Sequence, residues 1–145
     1  MKPEFKIPNM EEIRKVEGRN NYNVVSTFSG AGGSCLGFKM AGYNVLWANE
    51  FIPAAQEVYK LNHENTILDC RDIRNVIPKE ILNKINLEVG DLDVFEGSPP
   101  CASFSHCGLG SKEWGNVKKY SDTKQRVDDL FFEYGRILEG LQPKV

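Results

Sequence analysis

The chain has 145 residues, of which 41% are apolar and 26% are charged, and its formal net charge is −2; this composition is typical of one globular domain. No apolar run approaches the roughly 20 residues of a membrane helix, and the N-terminus lacks a secretory signal, so we expect a cytoplasmic protein with no membrane partner. The basic excess of a self-sufficient DNA-binding domain is absent, and without a Cys-x-x-Cys pair we expect reduced thiols and no metal.

Predicted strands and helices alternate along the chain after residues 1–21, which we expect to form an N-terminal arm or a short capping helix. β-Rich segments predict strands at 23–28, 43–48, 66–68 and 91–95. Apolar residues at helical spacing predict helices that end at Gly42, run from Pro53 to Asn62, run from Pro78 to Ile85 and begin near Leu130. Residues 143–145 are predicted to approach a fifth strand.

This alternation predicts an α/β fold with a mainly parallel sheet and helices on both faces. Ligands of such sheets bind beyond the carboxyl ends of the strands. Each unusual segment follows a predicted strand: the glycine-rich turn 29–33, Glu50, Asp72 and the segment 99–101. We therefore expect these segments to form a single site.

The glycine-rich turn lets the backbone approach a ligand where a Cβ would collide. It departs from the Gly-x-Gly-x-x-Gly dinucleotide pattern because Cys35 occupies the third glycine position. Glu50 lies 20 residues after Gly30 and is placed to accept the two ribose hydroxyls of an adenosine-containing cofactor. Asp72 is placed to meet the adenine amino group. The alternatives are that Glu50 only neighbours a helix N-cap and that Asp72 is a plain turn residue.

Ser98–Pro99–Pro100–Cys101 predicts a loop of fixed shape, because two consecutive prolines lock φ and remove two backbone donors. A cysteine held by such a loop beside a cofactor site suggests a positioned nucleophile. The alternative is a rigid turn with an inert thiol.

Five segments resemble, in order, the motifs of DNA (cytosine-5)-methyltransferases. Phe28-Ser-Gly-Ala-Gly-Gly33 is similar to the first cofactor motif, while Asn49-Glu50 and Asp72-Ile73 are similar to the second and third. Gly97-Ser-Pro-Pro-Cys-Ala-Ser-Phe-Ser105 resembles the catalytic Pro-Cys motif, and Leu130-Phe131-Phe132 resembles the motif after it. Together these segments point to the family more specifically than any one of them does.

The resemblance implies a Rossmann-like methyltransferase domain over residues 22–145, incomplete at its C-terminus. The implied cofactor is S-adenosylmethionine and the implied product S-adenosylhomocysteine, with no metal. The implied cofactor-binding residues are Phe28, Ser29, Gly30, Ala31, Gly32, Gly33, Glu50, Phe51, Asp72, Ile73, Ser98, Pro99, Pro100 and Leu130.

The implied reaction is methylation of cytosine C5 in double-stranded DNA whose target base is flipped out of the duplex. Cys101 is implied to be the thiolate that attacks C6 and makes C5 nucleophilic. The segment from Ser103 to about Lys124 resembles the family's catalytic loop, for which a solvated loop without DNA contacts is the alternative. The implied DNA contacts are Ser103, Ser105, Lys112, Lys118 and Lys119.

The sequence departs from the family pattern in two ways. Ala102 stands where many members have Gln, which puts the loop contacts in question. The later Glu-Asn-Val motif, an Arg-bearing strand and a target-recognition region do not occur in residues 1–145. We therefore expect a fragment, or one subunit of a split enzyme, that is inactive without a complementary C-terminal chain or domain. The alternatives are a non-catalytic cofactor-binding module or remnant and a nicotinamide-binding domain.

Overall fold

The computed structural model describes residues 7–100, 117–120, 123–126 and 129–145, with 118–120 and 123–126 described by their backbone alone. The helices are α1 (Met10–Val16), α2 (Gly33–Met40), α3 (Pro53–Asn62), α4 (Pro78–Ile85) and α5 (Leu130–Leu141), with a 3₁₀ turn at Ile73–Asn75. The strands are β1 (Asn23–Thr27), β2 (Asn44–Asn49), β3 (Ile67–Asp69), β4 (Val94–Gly97), β5 (Val117–Tyr120) and β6 (Thr123–Arg126). Within these described ranges, no helix has the length and apolar character needed to cross a membrane.

Strands β1 to β4 form one sheet in the order β3-β2-β1-β4, and every neighbouring pair is parallel. Thr27 lies opposite both Asn49 and Gly97, and Asn49 lies opposite Asp69. The four strands therefore end in line, and the segments that follow them meet at one edge. The predicted parallel α/β fold is confirmed.

Helices cover both faces of this sheet, as predicted. The side chains of Val24 and Val25, adjacent in β1, point to opposite faces, so each enters a different apolar cluster. The Val25 cluster contains residues of α4 and α5, and the Val24 cluster contains Cys35 of α2 and Tyr59 of α3. The two clusters hold the glycine-rich turn and the loops at the strand ends on a rigid base.

The strand boundaries differ from the predicted ones by a few residues, for local reasons. β1 ends at Thr27, because Phe28 has a φ of 53° that an extended strand does not allow. β4 begins at Val94 rather than at residue 91, and the carbonyls of Leu92 and Asp93 accept hydrogen bonds from the amides of Lys144 and Val145 at 3.0 Å. The amide of Phe95 donates to the Val145 carbonyl at 2.9 Å. Val145 thus pairs beside β4 in the manner of a parallel strand, where a fifth strand was expected.

Strands β5 and β6 form an antiparallel pair that the sequence analysis did not predict. Lys118 pairs with Gln125, and Lys119 pairs with Lys124. The sequence predicts a loop at residues 117–126 because lysine has a low strand propensity. The local sequence also carries no sign that the two strands pair. Lys118 and Lys119, expected to contact DNA, therefore lie on a strand.

Candidate active site

The glycine-rich turn folds back over the carboxyl ends of β1 and β2. Phe28, Gly30 and Gly32 all have positive φ, at 53°, 56° and 90°. The amide of Ser29 donates to the Asn49 carbonyl at 3.1 Å, and the amide of Gly32 donates to the Ser29 carbonyl at 2.9 Å. A bulky residue such as Phe28 is strained at positive φ, and strain of this kind concentrates at functional sites.

Glu50 connects this turn to the end of β2. Its side chain is buried, and its Oε2 accepts a hydrogen bond from the amide of Gly30 at 2.7 Å. Its Oε1 accepts from the amide of Ile52, also at 2.7 Å. Because each carboxylate oxygen has two lone pairs, each keeps one for a ligand. Glu50 is thus a prearranged acceptor of two further hydrogen bonds.

Asp72 lies at the N-cap of the 3₁₀ turn, where Arg74 holds it. Asp72 accepts from the Arg74 amide at 3.0 Å and from Arg74 Nη1 at 2.8 Å. The same guanidinium donates to both oxygens of Asp129, just before α5, at 2.8 and 2.7 Å. Hydrogen bonding to Asp129, and then the charge of Asp72, raise the pKa of Arg74, so the guanidinium stays charged. Arg74 therefore ties the chain after β3 to the start of α5.

These segments enclose a cavity of about 150 Å³ at the carboxyl edge of the sheet. Phe28, Phe51 and Leu130 give it apolar walls, and Glu50 and Asp72 bring carboxylates to it. Ile73, Ser98 and Pro100 complete the predicted residues that line it, and Asn49 and Ile52 line it as well. An apolar cavity with a few converging polar groups is the usual form of a cofactor site.

Other predicted site residues lie around this cavity or outside the described part of the chain. Ser29, Gly30, Ala31, Gly32 and Gly33 form the adjoining turn, and Pro99 lies between two lining residues. Cys101, Ser103, Ser105 and Lys112 fall outside the described residues. Their roles remain predictions, as do those of Lys118 and Lys119 on β5.

Asn49 lines the cavity, although the sequence analysis did not include it among the cofactor-binding residues. Its side chain donates to the carbonyls of Asp69 and Arg71, each at 2.9 Å, and so joins the end of β2 to the chain after β3. Its position directly before Glu50, at a strand end, was the available signal. Asp69 itself is buried; burial alone would raise its pKa, but hydrogen bonds from Arg71 and Lys84 lower the pKa to about 2.

His63 lies beneath the glycine-rich turn. A Cβ at Gly32 would overlap its imidazole, so the turn requires glycine at that position for space as well as for φ. The ring packs on Tyr59 with centroids 4.3 Å apart, and Nδ1 has no hydrogen-bond partner among the residues that the structure describes. Burial, and then the charge of Lys39, lower the pKa of His63 to about 4. His63 is therefore neutral at pH 7, and its ring packs between Tyr59 and the glycine-rich turn.

Over most of its length the chain is similar to bacterial type II methyltransferases. The type II methyltransferase M.FnuDI of Fusobacterium nucleatum is 36% identical over 121 residues, which are 83% of this chain and 30% of that protein. The type II methyltransferase M.NgoPII of Neisseria gonorrhoeae is 35% identical over 125 residues, or 86% of this chain and 32% of that protein. The chain thus spans about a third of the length of these relatives.

Solved structures support the fold. A DNA modification methyltransferase encoded within a prophage, from E. coli, superposes with a TM-score of 0.63 at 24% identity, over 84% of this chain and 30% of that one. A DNMT2 mutant from Spodoptera frugiperda gives a TM-score of 0.56 at 23% identity, over 81% and 31% of the two chains.

The family of C-5 cytosine-specific DNA methylases matches residues 22–145. Because this match spans more than half of the chain, the chain belongs to the C-5 cytosine-specific DNA methylases.

Proposed function

We propose that this chain is the cofactor-binding and nucleophile-bearing part of an enzyme that methylates C5 of cytosine in double-stranded DNA. The observation that carries the proposal is the cavity at the ends of the parallel strands. Glu50 and Asp72 reach it from β2 and from the chain after β3, and Ser98 and Pro100 reach it from β4. The residue after Pro100 is Cys101, so the same loop carries a cofactor wall and a candidate nucleophile.

The cavity residues fit S-adenosylmethionine as the cofactor. The two free lone pairs of Glu50 match a ribose diol, which presents two hydroxyl donors on adjacent carbons. Phe28, Phe51 and Leu130 provide apolar surface for a purine ring. Asp72 is held by Arg74 and still has acceptor capacity for an exocyclic amine. When bound, the cofactor supplies an electrophilic methyl group.

Cys101 is the proposed nucleophile, on the strength of its motif. A free thiol with a pKa near 8.5 is mostly protonated at pH 7, so the site must favour the thiolate. The thiolate attacks C6 of the flipped cytosine, and a sulfur–carbon bond forms as the C5–C6 π bond breaks and its electron pair moves to C5. The bound cofactor would supply the methyl group to C5, its sulfur–methyl bond would break, and S-adenosylhomocysteine would leave. Loss of the C5 proton to a base then restores the C5–C6 double bond and expels the thiolate. Each bond that forms is matched by one that breaks.

The proposed reaction also needs a group that assists at cytosine N3. A group that assists at cytosine N3 is worth about 10²–10⁴ in rate for general acid catalysis, and the Glu-Asn-Val motif expected to supply it does not occur in residues 1–145. We therefore propose that DNA methylation requires a further region or chain, and that residues 1–145 bind cofactor without methylating DNA.

The test is a methyl-transfer assay on the protein that the complete gene encodes. The proposal expects tritium from labelled cofactor to appear in DNA as 5-methylcytosine. Cys101→Ser is expected to abolish transfer while S-adenosylhomocysteine still binds. Methyl transfer by Cys101→Ser at the wild-type rate would disprove the role of Cys101 as the nucleophile. Cofactor binding without any transfer by the wild type would indicate a non-catalytic cofactor-binding protein instead.

A further inference from the structure

Glu96 is a partly buried carboxylate that the proposed reaction does not use. It lies on β4, five residues before Cys101, and faces β1 in the register Ser26–Glu96. Its Oε1 accepts hydrogen bonds from Ser26 Oγ at 2.6 Å and from Ser34 Oγ at 2.5 Å. Hydrogen bonds to a charged acceptor are about twice as strong as those between neutral groups.

The two serines place Glu96 against both ends of the glycine-rich turn. Ser26 belongs to β1, and its Oγ lies 2.8 Å from the Oγ of Ser29, the first residue after Phe28. Ser34 belongs to the first turn of α2. A single carboxylate oxygen thus joins the strand before the turn, the helix after it and β4, which leads to the Pro99–Pro100–Cys101 segment.

The N-terminus of α2 lacks the groups that usually stabilise a helix start. Its N-cap residue is Gly32, which offers no side-chain hydrogen bond, and its first turn contains no acidic residue. The unpaired amides at a helix start favour a nearby negative charge. Glu96 brings that charge from β4 through its contact with Ser34.

Glu50 holds the same turn from the opposite side. It accepts from the amide of Gly30 at 2.7 Å, whereas Glu96 holds the turn through Ser34. Ordering a turn with glycines at positions 30, 32 and 33 costs conformational entropy, which these hydrogen bonds help to offset. The two carboxylates, one from β2 and one from β4, fix it in place.

We propose that Glu96 is a positioning residue: through Ser26 and Ser34 it fixes the glycine-rich turn against β4 and so sets the affinity for the cofactor. The hydrogen bonds that fix the turn do not depend on the proposed function. The claim about affinity rests on the proposed function.

The experiment compares Glu96→Ala, Glu96→Gln and Ser34→Ala in the 145-residue chain, with Glu88→Ala, an exposed site after α4, as the control. Amide hydrogen exchange at residues 29–36 and in α4 is measured without ligand, and S-adenosylhomocysteine binding is measured by calorimetry. For Glu96→Ala we expect exchange in the turn to rise at least about tenfold, because one hydrogen bond to a charged group is worth about that factor and two are lost, with α4 unchanged. The dissociation constant should rise by a similar factor.

The other variants test the route through the serines. Glu96→Gln should keep part of both effects, because its amide oxygen still accepts hydrogen bonds from the serine hydroxyls but carries no charge. Ser34→Ala should weaken binding by itself and add little to Glu96→Ala, because both changes remove the same contact. Should Glu96→Ala fail to fold, Glu96→Gln and Ser34→Ala give the same readouts.

The outcomes separate the two claims. Unchanged exchange in the turn for Glu96→Ala and Ser34→Ala would overturn the positioning role. Faster exchange with unchanged affinity would overturn its importance for the cofactor. If the wild type does not bind S-adenosylhomocysteine, the proposed function fails, and the exchange data still decide whether Glu96 fixes the turn.

Discussion

The Glu50 carboxylate accepts a hydrogen bond from the Gly30 amide at 2.7 Å, so the acidic residue after β2 holds the turn after β1. Glu50→Ala should leave the amides of Gly30 and Ile52 without this acceptor and remove the proposed ribose contacts. We expect the dissociation constant for S-adenosylhomocysteine to rise at least about tenfold, since hydrogen bonds to charged groups contribute roughly 1.5–3 kcal/mol. Isothermal titration calorimetry measures it, and Glu57→Ala, exposed on α3, is the control. Equal affinities for the two variants would refute the role of Glu50.

Gly32 and Gly37 form a matched pair for testing the packing under the turn. Gly32 has a φ of 90°, and a Cβ there would overlap the His63 imidazole, whereas a Cβ at Gly37 in α2 meets nothing within 4 Å. Gly32→Ala should therefore destabilise the chain by roughly 2 kcal/mol or more. Gly37→Ala should stabilise it by about 0.5–1 kcal/mol through helix propensity. Urea unfolding measures both, and a stable Gly32→Ala variant would show that the turn does not need this geometry.

Arg74 and Asp129 should be energetically coupled although they are far apart in the sequence. Their bidentate contact has distances of 2.8 and 2.7 Å, with about a quarter of each side chain exposed. A double-mutant cycle with Arg74→Met and Asp129→Asn should give a coupling energy of roughly 1 kcal/mol.

The control cycle uses Arg14 and Glu64, a more exposed pair with a single 3.2 Å contact. Exposed pairs of this kind couple by at most about 1 kcal/mol, and many of them by nothing measurable. If the coupling energy of Arg74 and Asp129 is no larger than that of Arg14 and Glu64, the contact between the chain after β3 and α5 does not stabilise the fold.

His63 should make the stability of the chain sensitive to mild acid. Its pKa is about 4 in the folded chain and 6.5 in a model peptide, so between these pH values the unfolded chain binds a proton that the folded chain does not. The free energy of unfolding therefore has its full value above pH 6.5 and falls as the pH is lowered towards 4. The total loss is roughly 3 kcal/mol. Urea midpoints at pH 7, 5.5 and 4.5 measure the loss.

His63→Gln is the comparison for this pH dependence. It removes the titrating group, so its midpoint should change less over the same range. Asp69, whose pKa is lowered from 3.8 to about 2, titrates below this range and does not interfere. An identical pH dependence in wild type and His63→Gln would mean that His63 is not the cause.

The sheet and the cavity could be predicted because their signals are local or follow from topology. Apolar periodicity indicated the strands and helices. Parallel strands place their carboxyl ends together, so Glu50, Asp72 and Pro100, each after a different strand, were expected to meet.

The side-chain contacts that hold the site could not be predicted in this way. Glu96 and Ser34 are 62 residues apart, and Arg74 and Asp129 are 55 apart; neither pair has a sequence pattern. Their contacts depend on how β4 and α5 pack against the rest of the chain. The contact between His63 and Gly32 is a similar case. An isolated histidine gives no sequence signal for such a contact, which depends on how α3 packs.

Titration of S-adenosylhomocysteine into the 145-residue chain shows whether the cavity binds the cofactor. We expect saturable binding at one site per chain, weakened by Glu50→Ala and unaffected by Glu57→Ala. A titration without binding heat at millimolar ligand, on a chain shown to be folded, would contradict the assignment of the cavity at the ends of β1, β2 and β4 as a cofactor site.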